Sequence, residues 1–252
     1  MISEKFFLCA PYDFHGKCHI FPPKVKDIIG NDKFWVYFDI LTKTQEEIGD
    51  MYEEEKEKHG LKFDNYPTPF EFLLMTAFNN KEYESVIKDA FQVFIHQDVT
   101  FLYEVKMILI GDIKQELKSV KDINQLNFIK EEDYFEFQNA IRQAMGQPEV
   151  KPPVFDKDPR VRHIKAMGRW RERLKAKKAG GTSFFTSLVA ICCMNMGINP
   201  LNIGELSYSA VKSLIAMYQQ QEEYRMDIDT LLAGGDSKKI KPKYWIRDPQ
   251  KQ

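Results

Sequence analysis

The chain has 252 residues, of which 43% are hydrophobic, with 19 Phe and 11 Tyr. That is ample for a sizeable core and excludes general disorder. The formal net charge of −1 gives no overall pull towards nucleic acid, and four cysteines at 9, 18, 192 and 193 make no disulfide framework in a chain this long.

The opening MISEKFFLCAPYDFHGK lacks a long apolar stretch followed by a small-residue cleavage site. It therefore reads as no signal peptide, and the expectation is an intracellular protein. Between residues 6 and 21, Phe6, Leu8, Cys18 and Ile20 share one parity, broken by Pro11 and Gly16. Short strands or an extended hairpin are expected there. Cys9, His15, Cys18 and His19 match no zinc-ligand spacing, so they read as strand-face residues and no metal is expected.

Helices follow. Val25, Ile28 and Ile29 fall at i, i+3 and i+4 and stop at Gly30; Phe34, Trp35, Phe38, Ile40 and Leu41 predict a second buried helix. Thr44 with Glu47 is a capping-box pair opening a helix to about Lys58. Its acids (Glu46, Glu47, Asp50, Glu53, Glu54, Glu55, Glu57) lack the Asp/Asn/Gly loop of an EF-hand and read as a solvated face. Thr68 and Glu71 repeat the capping box, and FEFLLMTAF is apolar nearly all round, as a central helix would be. Tyr83, Val86, Ile87, Ala90, Phe91 and Phe94 give the cleanest helical period in the chain.

Residues 99–109 alternate strictly and read as a strand ending at Gly111-Asp112, with a helix as the alternative. Tyr134, Phe137, Ile141 and Met145 mark one face of a further helix ending at Gly146. Prolines at 148, 152, 153 and 159 then mark a linker.

Arg160–Lys178 holds nine Lys or Arg against one acid, Glu172, a local balance of +8. Asp158-Pro159 supplies a cap and a first helical residue. The segment reads as a solvated connector helix or as a contact surface for an acidic partner: nucleic acid, a membrane face or an acidic protein. After Gly180-Gly181, residues 184–198 are apolar but too short to span a bilayer, which needs about 20 residues. Buried helix is the expectation. A long helix runs from about Ser207 to Ala233, with Val211, Leu214, Ile215 and Tyr218 in one seam that Ile228, Leu231 and Leu232 continue. Between them, residues 219–223 (QQQEE) are polar all round. The tail is basic and carries Tyr244-Trp245-Ile246.

The expected architecture is mainly α with a small β component (α+β). Its parts are a helical N-terminal domain over 1–147, a proline-rich linker and basic helix over 148–181, and a C-terminal helical segment over 182–252. Catalytic motifs do not occur: no phosphate-cradling Gly-rich loop, no H-E-x-x-H, no C-x-x-C and no G-x-S-x-G. A non-enzymatic protein without cofactors is expected.

Four stretches carry a resemblance: PYDFHGKCHIFPPKVKDIIGN, LTKTQEEIGD, the run from TPFEFLLMTAFNN to VKMILIGD, and the run from TSLVAICCMNMGINP to KPKYWIRD. On these the chain resembles the tail assembly chaperones of long-tailed bacteriophages, and their prophages, infecting Gram-positive bacteria. The resemblance implies a protein of the bacterial cytoplasm that coats the apolar tape measure protein, helps recruit tail tube subunits, and leaves before the virion is complete. It carries no catalytic residues. Partner-binding residues are expected at Arg160, Arg162, Arg169, Arg171, Arg173, Tyr218, Tyr224, Tyr244 and Trp245. Homo-oligomers are expected through contact of the basic helix with the acidic 46–57 face of a neighbouring copy. Charge reversal at Arg169, Arg171 and Arg173 is expected to spare the fold. The alternatives are a virion structural or adaptor protein, and a nucleic-acid binder in which Arg160–Lys178 tracks phosphates and Trp170 stacks on bases.

Overall fold

A computed structural model describes residues 2–59, 66–111, 126–151, 160–161, 163–169, 192–194, 197–236, 239–240 and 242. The fold is mainly α with two small antiparallel sheets.

The chain begins with α1 (Ile2–Phe7), not with the extended segment that the Phe6/Leu8 parity suggests. Phe6 is fully buried while Leu8 is 76% exposed, so two residues of equal parity point to opposite environments. A left-handed Cys9 (φ 56°) ends the turn. The expected hairpin does follow, as β1 (Tyr12–Phe14) and β2 (Cys18–Ile20) with Phe14 opposite Cys18. Its turn uses left-handed His15 and Gly16, and the Gly16 N–H donates to Asp13 Oδ1 at 3.0 Å. Cys18 faces the core and His19 faces out, so the two are not co-ligands.

α2 (Val25–Ile29) and α3 (Phe34–Thr42) come next; α3 buries Phe34, Tyr37, Phe38 and Leu41 at i, i+3, i+4 and i+7. α4 (Gln45–His59) opens on the Thr44 capping box: Thr44 N–H donates to Glu47 Oε2 at 2.8 Å, and Glu47 N–H to Thr44 Oγ1 at 3.2 Å. The second box caps α5 (Pro69–Asn79), where Glu71 N–H donates to Thr68 Oγ1 and proline takes the first position. α5 is not buried all round as its composition suggests. Phe70, Leu73, Leu74 and Ala77 enter the core, but Met75 and Phe78 are 47% and 69% exposed.

α6 (Lys81–Ile95) lies against α3 and α5 and buries Ile87, Ala90, Phe91, Phe94 and Ile95. The alternating run beyond it is two strands rather than one. β3 (Val99–Leu102) pairs with β4 (Met107–Ile110) in register Val99–Ile110 and Leu102–Met107, and β5 (Phe128–Ile129) extends the sheet beside β4. The reversal at 103–106 contains neither Gly nor Pro; Lys106 adopts φ 50° to make it. α7 (Glu131–Ala144) buries Tyr134, Phe137 and Ile141, with Met145 just past its end, as its spacing predicts.

The C-terminal part joins this same core. α8 (Pro200–Ile203) leads to Ser207, whose Oγ accepts the Ala210 N–H at 3.1 Å and donates to Phe6 O at 2.8 Å. Ser207 thus caps α9 (Tyr208–Leu232) and ties it to α1. Val25 N–H donates to Leu206 O and Tyr208 N–H to Pro23 O, stitching 23–26 to 204–208. Cys192, Ile203, Tyr208, Val211 and Ile215 belong to one apolar cluster with Phe6, Phe34, Phe91 and Phe137. Most of the 184–198 run lies outside the described residues; Cys192 within it is buried. Among the described residues, no helix is long and apolar enough to cross a membrane.

Candidate partner-binding surfaces

Residues 160–161 and 163–169 are helical and lie along α4. On α4, Glu46, Asp50, Glu53 and Glu57 fall at i, i+4, i+7 and i+11, one stripe of a 3.6-residue helix. His163, Ala166 and Arg169 form the matching stripe at intervals of three. Arg169 Nε and Nη2 donate to Asp50 Oδ2 and Oδ1 at 2.9 and 2.6 Å, and Nη1 lies 2.6 Å from Glu46 Oε1. His163 Nδ1 lies 2.8 Å from Glu53 Oε2, and Nε2 lies 3.7 Å from Glu57 Oε2. The late residue of the basic helix meets the early part of α4, and the early residue meets the late part. The two helices therefore run antiparallel, with Ala166 buried between the ionic ends.

This corrects the solvated-face reading of α4 at Asp50 and Glu53, while Glu46, Glu55 and Glu57 are exposed, as expected. Asp50 and Glu53 are 2% and 3% exposed. A carboxylate that deep requires cations and hydrogen bonds to stay charged. Burial pushes the Glu53 pKa up, but hydrogen bonds from the Tyr66 hydroxyl and His163 outweigh it, and the pKa falls below the ordinary 4.5. The bond to Asp50 raises the Arg169 guanidinium further above its ordinary value. Behind the paired helices, a cleft of about 800 Å³ runs between α4, the start of α5 and α7, floored by Phe70, Tyr134 and Gln138. Tyr134 and Gln138 both donate to Leu41 O at 3.1 Å, which fixes that floor.

The expected contact between basic helix and acidic face is thus present within one chain. Of the basic residues singled out, Arg169 is engaged here and Arg160 is exposed at the start of the helix. Arg162, Trp170, Arg171 and Arg173 lie outside the described residues, as do Tyr244 and Trp245. Tyr66, His163 and Ala166 were not singled out by sequence, and Asp50 and Glu53 were named only as members of the acidic face. Their signal was available as two stripes of matching helical spacing and opposite charge.

The second surface is α9. Its buried residues are Tyr208, Ser209, Ala210, Val211 and Ile215, and from residue 216 to its end none is buried. Those last 17 residues extend about 25 Å at 1.5 Å per residue. The polar stretch 219–223 is exposed, as expected, apart from a half-buried Glu222. A heptad seam runs from Leu214 along the exposed part: Leu214, Gln221 and Ile228 at one position, Met217, Tyr224 and Leu231 at the other. Met217 is 49% exposed; Leu214, Tyr224, Ile228 and Leu231 are half-buried. Tyr218 and Leu232 flank the seam, and Leu232 is 82% exposed. Tyr218 and Tyr224 therefore share one surface, apart from the basic helix residues.

A third cluster ties the start of α2 to the segment before α9. Lys24 and Lys26 reach Glu205 at 2.9 and 2.6 Å, and the hydrogen bonds from Lys26 and Lys24 pull its carboxyl down to about 2. Compared with known proteins, the chain matches no family model, no curated protein and no solved structure.

Proposed function

We propose that this protein is a non-enzymatic assembly chaperone whose α9 seam holds an apolar helical client. The observation that carries the reading is the exposed second half of α9, in which no residue from 216 to 232 is buried. An exposed half-helix gains little of the tertiary packing that supplies most helical stability. One that also displays a regular apolar seam has the form of a surface that receives another helix. Met217 adds an adaptable side chain suited to clients of varied sequence. Gln221 interrupts the seam at its centre and limits how far the register of a bound helix slides.

The resemblance in sequence names the client: the tape measure protein of a long-tailed phage, with tail tube subunits recruited afterwards in the host cytoplasm. The rival in which Arg160–Lys178 tracks phosphates is weakened by the cis contact, since Asp50 and Glu46 already neutralise Arg169. Co-expression with the tape measure protein tests the proposal. A soluble complex that survives size exclusion supports it; unchanged solubility of the client and no complex removes it.

A further inference from the structure

We infer that the acidic stripe of α4 is a docking track for basic helices, occupied in cis by residues 160–169 and open to exchange with the same helix of a second copy. The cis contact shows what the track recognises. A histidine and an arginine spaced six residues apart, with a small residue midway, fit carboxylates at 46, 50, 53 and 57 in antiparallel order.

The composition of the contact favours exchange. Ala166 is the one described apolar side chain of the basic helix that is buried; Ile164 is 68% exposed. Charge, rather than apolar area, therefore holds the helix down, and ionic contacts with half-exposed partners release readily. Emptying the track takes Arg169 from Asp50 and Glu46 and His163 from Glu53 and Glu57, and leaves Glu53 with Lys56 at 3.7 Å. A second copy's helix supplies the same His163 and Arg169, so every ion pair broken in cis re-forms in trans. That is the condition for segment exchange between protomers. The contact uses α4 and the basic helix rather than α9, so it stands independently of the client-binding proposal.

Two charge-swapped chains test it. The first carries His163→Asp and Arg169→Asp; the second carries Asp50→Arg and Glu53→Arg. Neither can close its own track, but each complements the other in trans. Mixed, they are expected to form a one-to-one heterodimer by light scattering. Its affinity should fall at least tenfold from about 0.1 to about 1 M salt, as the Debye length shortens from about 10 to about 3 Å. A chain carrying all four substitutions closes its track in cis and shows whether the changes are tolerated. A mixture that stays monomeric while this control is folded overturns the inference. If the control does not fold, a Glu53→Cys chain is mixed with a His163→Cys chain under oxidation. An intermolecular disulfide linking positions 53 and 163 supports exchange, and its absence overturns it.

Discussion

Arg169 meets Asp50 in a two-pronged pair, Nε to Oδ2 at 2.9 Å and Nη2 to Oδ1 at 2.6 Å, across 119 residues of sequence. Asp50 is 2% exposed and the Arg169 side chain 34%. The carboxylate is thus the buried member, and the guanidinium is its partly exposed partner. Arg169→Ala is expected to destabilise the fold by about 1–3 kcal/mol. That range is discounted from the cost of breaking a fully buried pair because Arg169 is a third exposed. Urea denaturation measures it, and a double-mutant cycle with Asp50→Ala isolates the pair. Reversal at Arg169 should cost more than truncation, contrary to the expectation from sequence that the fold is indifferent there.

Acid sensitivity follows from Glu53. Its pKa in the fold lies below the ordinary 4.5, so the carboxylate stabilises the fold above that pH, and the contribution is lost as pH falls below it. Glu205, pulled down to about 2 by Lys26 and Lys24, acts with the same sign over the window between 4.5 and about 2. Thermal melting at descending pH should show falling stability below 4.5. Glu53→Gln should be less stable at neutral pH and show a shallower acid slope than the wild type.

Two left-handed glycines separate backbone cost from steric cost. Gly146 (φ +58°) ends α7, and a Cβ there would lie 3.2 Å from Ser209 Cα and 3.4 Å from its Cβ. Gly16 (φ +68°) has nothing within 4 Å. Gly16→Ala carries the left-handed penalty alone, about 1 kcal/mol. Gly146→Ala adds the clash with α9 and should reach about 2–3 kcal/mol. Chemical denaturation of the two variants compares them; equal losses would mean that α9 gives way without strain.

Local signals were legible where they act locally. The Thr44 and Thr68 capping boxes form as spaced, and the faces of α6 and α7 enter the core at the positions their periodicity marks. Readings failed where a short segment or a distant partner decides. α1 has six residues, too few for helical period to outweigh chance alternation at Phe6 and Leu8. The alternation over 99–109 persists through a reversal made by a left-handed lysine, which carries none of the usual turn residues. Asp50 and Glu53 on α4 looked solvated because their partners, Arg169 and His163, lie more than a hundred residues away. In α9 Leu214, Ile228 and Leu231 of the seam were legible but Met217 and Tyr224 were not, and that its buried residues stop at Ile215 depends on contacts with α1 and α7.

The most direct measurement of the central proposal sets a seam variant beside the wild type. Met217→Ser, Tyr224→Ser and Ile228→Ser together replace no buried residue, so urea stability should change by under about 1 kcal/mol. Each protein is co-expressed with the tape measure protein, and the soluble complex is quantified by size exclusion. The account predicts a soluble complex with the wild-type chain and its loss with the equally stable seam variant. A variant that solubilises the client as well as the wild type does would contradict the assignment of α9 as the client-binding surface.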